Sequence, residues 1–334
     1  MRKIGKQSYE FNSVYIKESA TSASRLEQNG PIGSYIDKCY KDNYCDEASW
    51  EKAEMALLKS AINTLLKKVD LNEEDIELFV GGDLNNQIVI NNYCLKSYPF
   101  PLLGIYSACS TFTEGLIIGS SFVDNSKTDN VIVATSSHNS TSERQFRNPT
   151  EYGGQKSATT TFTATGAGCC LLTNNKTKIK VTKATIGRIT DSIMLDSTDM
   201  GRVMAPAAAH TLMMHLSDFN LKVDDYDLII TGDLSKYGKM MFLEILKSYN
   251  INMQNYEDSG LMLYDIKTQP VFSGGSGAGC IALVSMGYLY KEMLKGKYKK
   301  ILLIATGALL NPIMTFQKET IPSIAHAVAL ERID

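Results

Sequence analysis

The feature that most constrains this chain is a syntax that it spells out twice. Residues 51–84 hold a helix-like stretch with small or apolar side chains at Ala53, Ala56, Leu57, Ser60, Ala61 and Leu65. Val69-Asp70-Leu71 follows, then Asp75-Ile76-Glu77-Leu78-Phe79-Val80-Gly81-Gly82-Asp83-Leu84. An offset of 150 residues finds the same order: a helix-like stretch over 206–219, Leu221-Lys222-Val223, and Asp225-Tyr226-Asp227-Leu228-Ile229-Ile230-Thr231-Gly232-Asp233-Leu234. A second match has an offset of 171. Ala108-Cys109, the helix through Val123 and Val131-Ile132-Val133-Ala134-Thr135 correspond to Gly279-Cys280, a helix through Met293 and Leu302-Leu303-Ile304-Ala305-Thr306. The growth of the offset from 150 to 171 puts an insertion of 21 residues between Leu234 and Cys280.

Each half therefore reads helix, apolar strand, connection, apolar strand, Cys-led helix, apolar strand. Runs such as 78–80 and 301–304 lack polar alternation, as parallel strands do when helices cover both faces. Strands joined through helices make right-handed crossovers, hence two similar α/β halves. Residues 1–173 form the first and 174–334 the second, meeting at the polar connection Asn174-Asn175-Lys176-Thr177. Residues 158–172 and 179–189, rich in Thr, Ile and Val, read as long β segments. Residues 23–46 and 136–157 read as irregular and exceed the usual loop length, which suits binding or interface elements.

Composition narrows the function classes. At 44% hydrophobic and 21% charged, 334 residues can bury large cores. Lys and Arg number 34 against 36 Asp and Glu, a net charge of −2 that gives no footprint for nucleic acid. The basic opening decapeptide is followed by no apolar stretch, so no secretory signal is expected. No run approaches the roughly 20 apolar residues of a membrane-spanning helix, so a soluble or peripheral protein is expected. Seven scattered cysteines without a C-x-x-C pair indicate neither a disulfide framework nor structural zinc, and a reducing setting. His138, His210, His215 and His326 pair with no acids at ligand spacing; His210 and His215 lie about 140° apart around one helix and read as helix-face residues. No metal and no cofactor are expected.

Three segments carry candidate chemistry. Ile105-Tyr106-Ser107-Ala108-Cys109-Ser110-Thr111-Phe112 runs from an apolar strand through a small-residue turn into a helix. Cys109 then sits by a helix N-terminus, where unpaired N–H groups favour a thiolate nucleophile; alternatively it is a small buried residue at a tight junction. Ser273-Gly274-Gly275-Ser276-Gly277-Ala278-Gly279 is the matching turn of the second half. It lacks the Lys-Ser/Thr of a P-loop, and it serves either packing or a ligand-facing turn. Residues 138–156 leave the C-terminal end of the strand 131–135, where open α/β sheets bind ligands. Arg144 and Arg147, with His138 and Tyr152 nearby, could clamp an aromatic dianion, since guanidinium matches carboxylates and stacks on rings. The alternative is solvent-exposed charge or a subunit contact.

Two such halves, with a Cys opening the central helix of the first and a Gly-rich turn opening that of the second, resemble the thiolase and 3-oxoacyl-synthase superfamily over essentially the whole chain. That resemblance implies a five-layered α/β/α/β/α fold of two pseudo-repeated βαβαβ halves. More narrowly, Ser107-Ala108-Cys109-Ser110-Thr111, the string from Ser142-Glu143-Arg144 to Gly153-Gly154-Gln155, and Ile321-Pro322-Ser323-Ile324-Ala325-His326-Ala327-Val328 are similar to the stage V sporulation AD family of spore-forming Gram-positive bacteria.

The superfamily's condensing enzymes use the central Cys as acyl acceptor, helped by a His at the second-half strand end and a His or Asn in the Gly-rich turn. Here Cys109 stands at the first position, Asp233 at the second and Gly275-Ser276 at the third; Thr306-Gly307-Ala308 stands where thiolases carry a second Cys. An aspartate near Cys109 disfavours its thiolate. The resemblance therefore implies a non-enzymatic binder of dipicolinic acid (pyridine-2,6-dicarboxylate), free or as its calcium chelate, acting in dipicolinate uptake into the developing spore. Its pocket would lie near Cys109, Asp233 and Ser276, with His138, Arg144 and Arg147 inferred from their chemistry as carboxylate partners. The alternative is an acyl-CoA condensing or thiolytic enzyme that uses Cys109. The resemblance also implies a peripheral place on the cytoplasmic face of the spore inner membrane beside membrane-embedded stage V proteins, and a homodimer paired through residues 131–135.

Overall fold

The computed structural model describes residues 1–125 and 128–333. Ten strands make two sheets of five: β1 (Tyr15–Ala23), β2 (Leu78–Gly82), β3 (Leu102–Gly104), β4 (Val131–Ser137) and β5 (Gly166–Thr173), then β6 (Ile179–Thr185), β7 (Leu228–Thr231), β8 (Tyr256–Asp258), β9 (Lys300–Ala308) and β10 (Pro322–Arg332). The helices that cover them are α1 (Trp50–Val69), α2 (Thr111–Asp124), α3 (Asn139–Phe146), α4 (Met200–Phe219), α5 (Ser235–Ser248) and α6 (Ala278–Ala282). A π-helical stretch, Leu283–Leu289, continues α6 into α7 (Tyr290–Leu294).

The strand order is β3-β2-β4-β5-β1 in one sheet and β8-β7-β9-β10-β6 in the other, the same permutation twice. In each sheet the three strands at one side are parallel. The fifth strand of each half, β5 or β10, runs antiparallel to its neighbours. The runs 78–80 and 301–304 lie in parallel pairs as expected, whereas the long β segments have no direction that the sequence reveals. β5 and β10 turn back because residues 138–165 and 309–321 stay at the C-terminal ends of the parallel strands. Two pairings, Ile179 with Ile16 and Lys180 with Tyr15, join the sheets at β6 and β1.

The layers follow from which side each strand residue faces. Phe79, Ile132 and Leu171 face outward onto Leu57, Leu58, Ile62 and Leu65 of α1. Ile229, Leu302 and Ile304 face outward onto Val203, Met204 and Leu212 of α4. The alternate residues Val80, Val133, Ile230 and Leu303 face inward onto α2 and the α6–α7 segment, through Phe112, Leu116, Ile281 and Leu283. Strands that are apolar on both faces thus have a helix layer on each side, and the fold is α/β/α/β/α.

α1 and α4 end alike, in left-handed residues Asp70 (φ 52°) and Asn220 (φ 53°), the short polar types that tolerate that conformation. α4 begins six residues before the expected Pro206, because the Asp199 side chain caps it by accepting from the Arg202 N–H. Residues 23–46 and 136–157 are not loops throughout: the first contains a helical turn, Arg25–Gln28, and the second contains the end of β4 and all of α3. Pairing of the 158–172 segment is also interrupted, with Phe162–Thr163 bonded to Gly275–Ser276 before β5 begins at Gly166.

The expected dimer strand is excluded by its place in the sheet. Residues 131–135 belong to β4, which is hydrogen-bonded along both edges, to β2 and β5. The outermost strands in the path of the two sheets are β3 and β8. Among the described residues no helix is long and apolar enough to cross a membrane.

α4 and α5 cross in contact at two glycines. A Cβ added to Gly238 would lie 2.4 Å from the Gly201 carbonyl oxygen, and one added to Gly201 would lie 2.2 Å from the Leu234 oxygen. Gly238→Ala should therefore push the helices apart and cost about 1–3 kcal/mol, the usual penalty of overpacking. Chemical denaturation measures it, and an unchanged midpoint would show that the crossing is looser than described.

Candidate functional site

The two central helices begin against each other, and Cys109 lies at that junction. Ala108 takes a left-handed backbone (φ 49°), a conformation that costs a non-glycine residue about 1–2 kcal/mol. The kink delivers Cys109 just ahead of α2, with its Sγ 3.8 Å from Ser276 Oγ. Ser276 comes from the Gly-rich turn, where Gly277 at φ 104° occupies backbone space closed to L side chains. A Cβ there would also meet Ser137 Oγ at 2.7 Å. The turn serves both open alternatives: its glycines pack, and its serine and one N–H face the site.

Asp233 organises this cluster from the end of β7. Its Oδ2 accepts from Ser276 Oγ at 2.9 Å and from the Gly277 N–H at 3.1 Å, and its Oδ1 accepts from Thr306 Oγ1 at the matching level of β9. Burial pushes the Asp233 carboxyl up, and the hydrogen bonds oppose that shift only in part. Burial also pushes the Cys109 thiol well above its ordinary range, with the Asp233 charge adding to the effect. The thiolate expected from a helix start is therefore disfavoured. Dehydration and a neighbouring acid outweigh the helix terminus.

The histidines are engaged elsewhere. His138 caps α3, its Nδ1 accepting from the Ser140 N–H at 3.1 Å, so its Nε2–H donates to the Asn43 carbonyl at 2.7 Å. Burial pulls it down to about 4 and keeps it neutral. His326 Nδ1 accepts from the Gly187 N–H, which leaves Nε2–H to reach Ser107 Oγ at 3.3 Å, two residues before the thiol. It too is pulled down by burial, to about 4. His215 bonds Thr185 Oγ1 and Tyr226 OH inside the second half. The proposed carboxylate partner His138 thus serves as a helix cap.

The two arginines separate. Arg144 turns to the start of α1, pairing with Glu51 and lying 5.9 Å from the Trp50 ring; its side chain is 48% exposed. It has no contact with the Cys109 pocket. Arg147 lies one turn later on the inner side, its side chain 7% exposed. It grips Glu143 through Nε and Nη2, and Lys156 Nζ reaches the same carboxylate at 3.2 Å. Its third nitrogen, Nη1, is buried without a hydrogen-bond partner, and so is Ser142 Oγ. Both residues line a small enclosed pocket of about 20 Å³ with Cys109, Ser276 and Phe146. That volume suits about one water. Arg144, Phe146 and Arg147 also line a cleft of about 450 Å³ on the outer side, with Asn148, Lys156, Ser197 and Phe316 among its other walls.

Cys109, Asp233, Ser276 and Arg147, all anticipated from sequence, thus converge, whereas His138 and Arg144 do not. Ser142, Phe146 and Thr306 were missed. Ser142 and Phe146 carry no signal until 139–146 is known to be helical, which puts them a turn apart facing the thiol. Among the described residues no group of three or more His, Cys, Asp or Glu side chains could hold a metal ion.

Comparison with known proteins agrees with this architecture. Residues 5–331 match the family described as stage V sporulation protein AD. A relative of that name from Bacillus subtilis (strain 168) is 44% identical over 335 residues, covering 99% of this chain and 98% of its own. Among solved structures, 3-oxoacyl-[acyl-carrier-protein] synthase III from Aquifex aeolicus VF5 is similar with a TM-score of 0.59 at 16% identity, over 95% of this chain and 99% of that one. A Xanthomonas campestris OleA structure has a TM-score of 0.63 at 13% identity, over 96% and 98%. These distant likenesses establish a shared thiolase-like fold.

A buried, protonated thiol should alkylate slowly. In native protein at neutral pH, iodoacetamide should label Cys109 far more slowly than in denatured protein, and Asp233→Asn should speed the native reaction by removing the opposing charge. Peptide mass spectrometry reads both. Fast native labelling, unaffected by Asp233→Asn, would contradict the electrostatic description.

Proposed function

The chain belongs to the stage V sporulation protein AD family, and from that premise we propose that it is a non-enzymatic receptor for dipicolinic acid in the uptake of that compound into the developing spore. The observation that carries the proposal is the unpaired, buried Nη1 of Arg147. A buried donor without an acceptor costs on the order of 1–3 kcal/mol, more on a charged group, and a ligand carboxylate removes that cost. Glu143 is shared by two cations, Arg147 and Lys156, so the cluster keeps an excess positive charge. Ser142 Oγ, also unpartnered, supplies a second donor on the same helix face.

Dipicolinate fits this chemistry. It is a flat aromatic ring with a carboxylate on each side of the ring nitrogen. One carboxylate would take Arg147 Nη1 and Ser142 Oγ, the ring would lie against Phe146, and the second carboxylate would remain in the outer cleft, where a calcium ion could accompany it. The enclosed pocket is too small for the whole molecule, so Phe146 must swing aside on binding. The thiol, which burial and the Asp233 charge hold protonated, suits a passive wall, since a thiol must lose its proton to attack. A peripheral position at the spore inner membrane, next to membrane-embedded stage V proteins, completes the proposal. Homodimerisation belongs to it as well, through an edge such as β3 in place of the interior β4.

The strained turn at Ala108 favours one alternative, because such a kink is one way to present a nucleophile. On that alternative the protein is an acyl-CoA condensing or thiolytic enzyme. Incubation with acyl-CoA of several chain lengths followed by mass spectrometry separates the two: a receptor acquires no stable adduct on Cys109.

Calorimetric titration with dipicolinate, with and without calcium, should give saturable binding that survives Cys109→Ala. Arg147→Ala should weaken it at least about tenfold, the ~1.4 kcal/mol expected for one charge-assisted contact. Arg144→Ala should weaken it less, because Arg144 lines only the outer cleft. An unchanged affinity in Arg147→Ala would remove Arg147 from the site.

A further inference from the structure

The large apolar side chains that this protein leaves in water are concentrated in one place. Among the described residues, five of the six most exposed aliphatic, methionine or phenylalanine side chains are Ile189, Ile193, Leu195, Ile313 and Phe316. They belong to two short segments, 186–195 and 312–316. Phe316 is 86% exposed and Ile193 81%. A soluble monomer rarely gathers such side chains on one face unless something covers them.

The two segments are tied to each other and to the outer cleft. Thr190 and Asp191 pair with Ser323 and Pro322 at the start of β10. The Ile321 N–H donates to the Met194 carbonyl at 2.9 Å, and Thr320 Oγ1 donates to Asp191 Oδ2 at 2.8 Å. Pro312 and Phe316, with Ser197 and Thr198, line the cleft that also holds Arg147. The apolar tips therefore stand along the rim of that cleft, beyond the C-terminal end of β9.

The fold holds these tips out by construction. Ile193 has a left-handed backbone (φ 58°), which a β-branched residue adopts only under strain, and Asp191 Oδ1 fixes it by accepting from the Ile193 N–H at 2.8 Å. The strained residue buries nothing in return. Asn311 caps the short helix Pro312–Phe316 by accepting from the Ile313 and Met314 N–H groups, and that helix presents Ile313, Met314 and Phe316 with none of its own residues buried.

Charge and shape select what covers them. Beside the tips, Arg188 and Lys318 stand against Asp191, Asp196 and Glu319, and both aspartates are engaged by N–H and hydroxyl groups of their own loops. That balance offers no field to steer a strongly charged partner. The tips also rise separately, with Thr190, Asp191, Ser192, Thr315 and Gln317 between them. A protein partner or a second copy needs a contiguous apolar core and about 800 Å² from each side. A fluid interface accepts isolated projecting side chains. We infer that this rim is a membrane-docking surface: Ile189, Ile193, Leu195, Ile313 and Phe316 dip into the boundary between headgroups and acyl chains of a lipid bilayer, so that the outer cleft opens beside the membrane. The docking rests on the tips alone; its use, bringing the anion site to the bilayer that the ligand must cross, rests on the receptor proposal.

Flotation of the full-length protein with phosphatidylcholine vesicles tests the surface without any ligand. The wild type should float with the vesicles at low and at high salt alike, since apolar insertion is not screened. Combining Ile193→Ser with Phe316→Ser should lower the partition coefficient at least about tenfold, because two large apolar side chains no longer insert. Tyr249→Ser, an equally exposed site at the far end of α5, should leave it unchanged. Trp50 is the single tryptophan, so Phe316→Trp in a Trp50→Phe background reports insertion directly. Its emission should shift to the blue on adding vesicles and be quenched by lipids brominated on the acyl chain, whereas Tyr249→Trp in the same background should do neither. Wild-type protein that does not float, or that floats while the Phe316→Trp emission stays in place, overturns the docking. Self-association without lipid that the serine variants abolish, together with no flotation, assigns the tips to a second copy and overturns it too. Flotation and insertion as expected, with no dipicolinate binding, would sink the receptor proposal and leave the docking standing.

Discussion

Everything that distinguishes this molecule is arranged around the meeting of two helix starts in the middle of five layers. The Cys-led turn of the first half and the Gly-rich turn of the second come close enough that Cys109 Sγ lies 3.8 Å from Ser276 Oγ, and a single β-carbon on Gly277 would strike Ser137 at the end of β4. Asp233 holds the Gly-rich turn to the sheet below, through Ser276, the Gly277 N–H and Thr306. This contact sets the depth of the pocket, the dryness of the thiol and the position of the wall that carries Arg147.

Dryness decides the chemistry. A helix start and a strained turn would ordinarily activate a cysteine, yet the buried setting and the facing acid hold Cys109 as a thiol. The same setting makes an unpaired guanidinium nitrogen costly, and so gives an incoming carboxylate its advantage. On the receptor proposal, one environment thus weakens nucleophilic catalysis and strengthens anion capture.

Much of this was legible in the sequence because the repeat is written in residue types that the fold needs twice. The offsets of 150 and 171 placed Asp233, Cys109 and Ser276 at strand ends and helix starts, where the structure puts them together. Directions were harder to read. An apolar run reports burial on two faces but not its orientation, so the antiparallel β5 and β10 and the interior place of β4 were missed. Side-chain partition within 138–156 was equally hidden. Without knowing that residues 139–146 form a helix, Arg144 and Arg147 look alike, although one reaches Glu51 at the surface and the other the pocket.

The most direct test of the receptor account is a crystal structure of the protein soaked with dipicolinate. The account requires one carboxylate of the ligand within hydrogen-bonding distance of Arg147 Nη1 and Ser142 Oγ, the ring against a displaced Phe146, and Cys109 unmodified. Ligand found elsewhere on the molecule, with Arg147 Nη1 still unpaired and Phe146 unmoved, would contradict it.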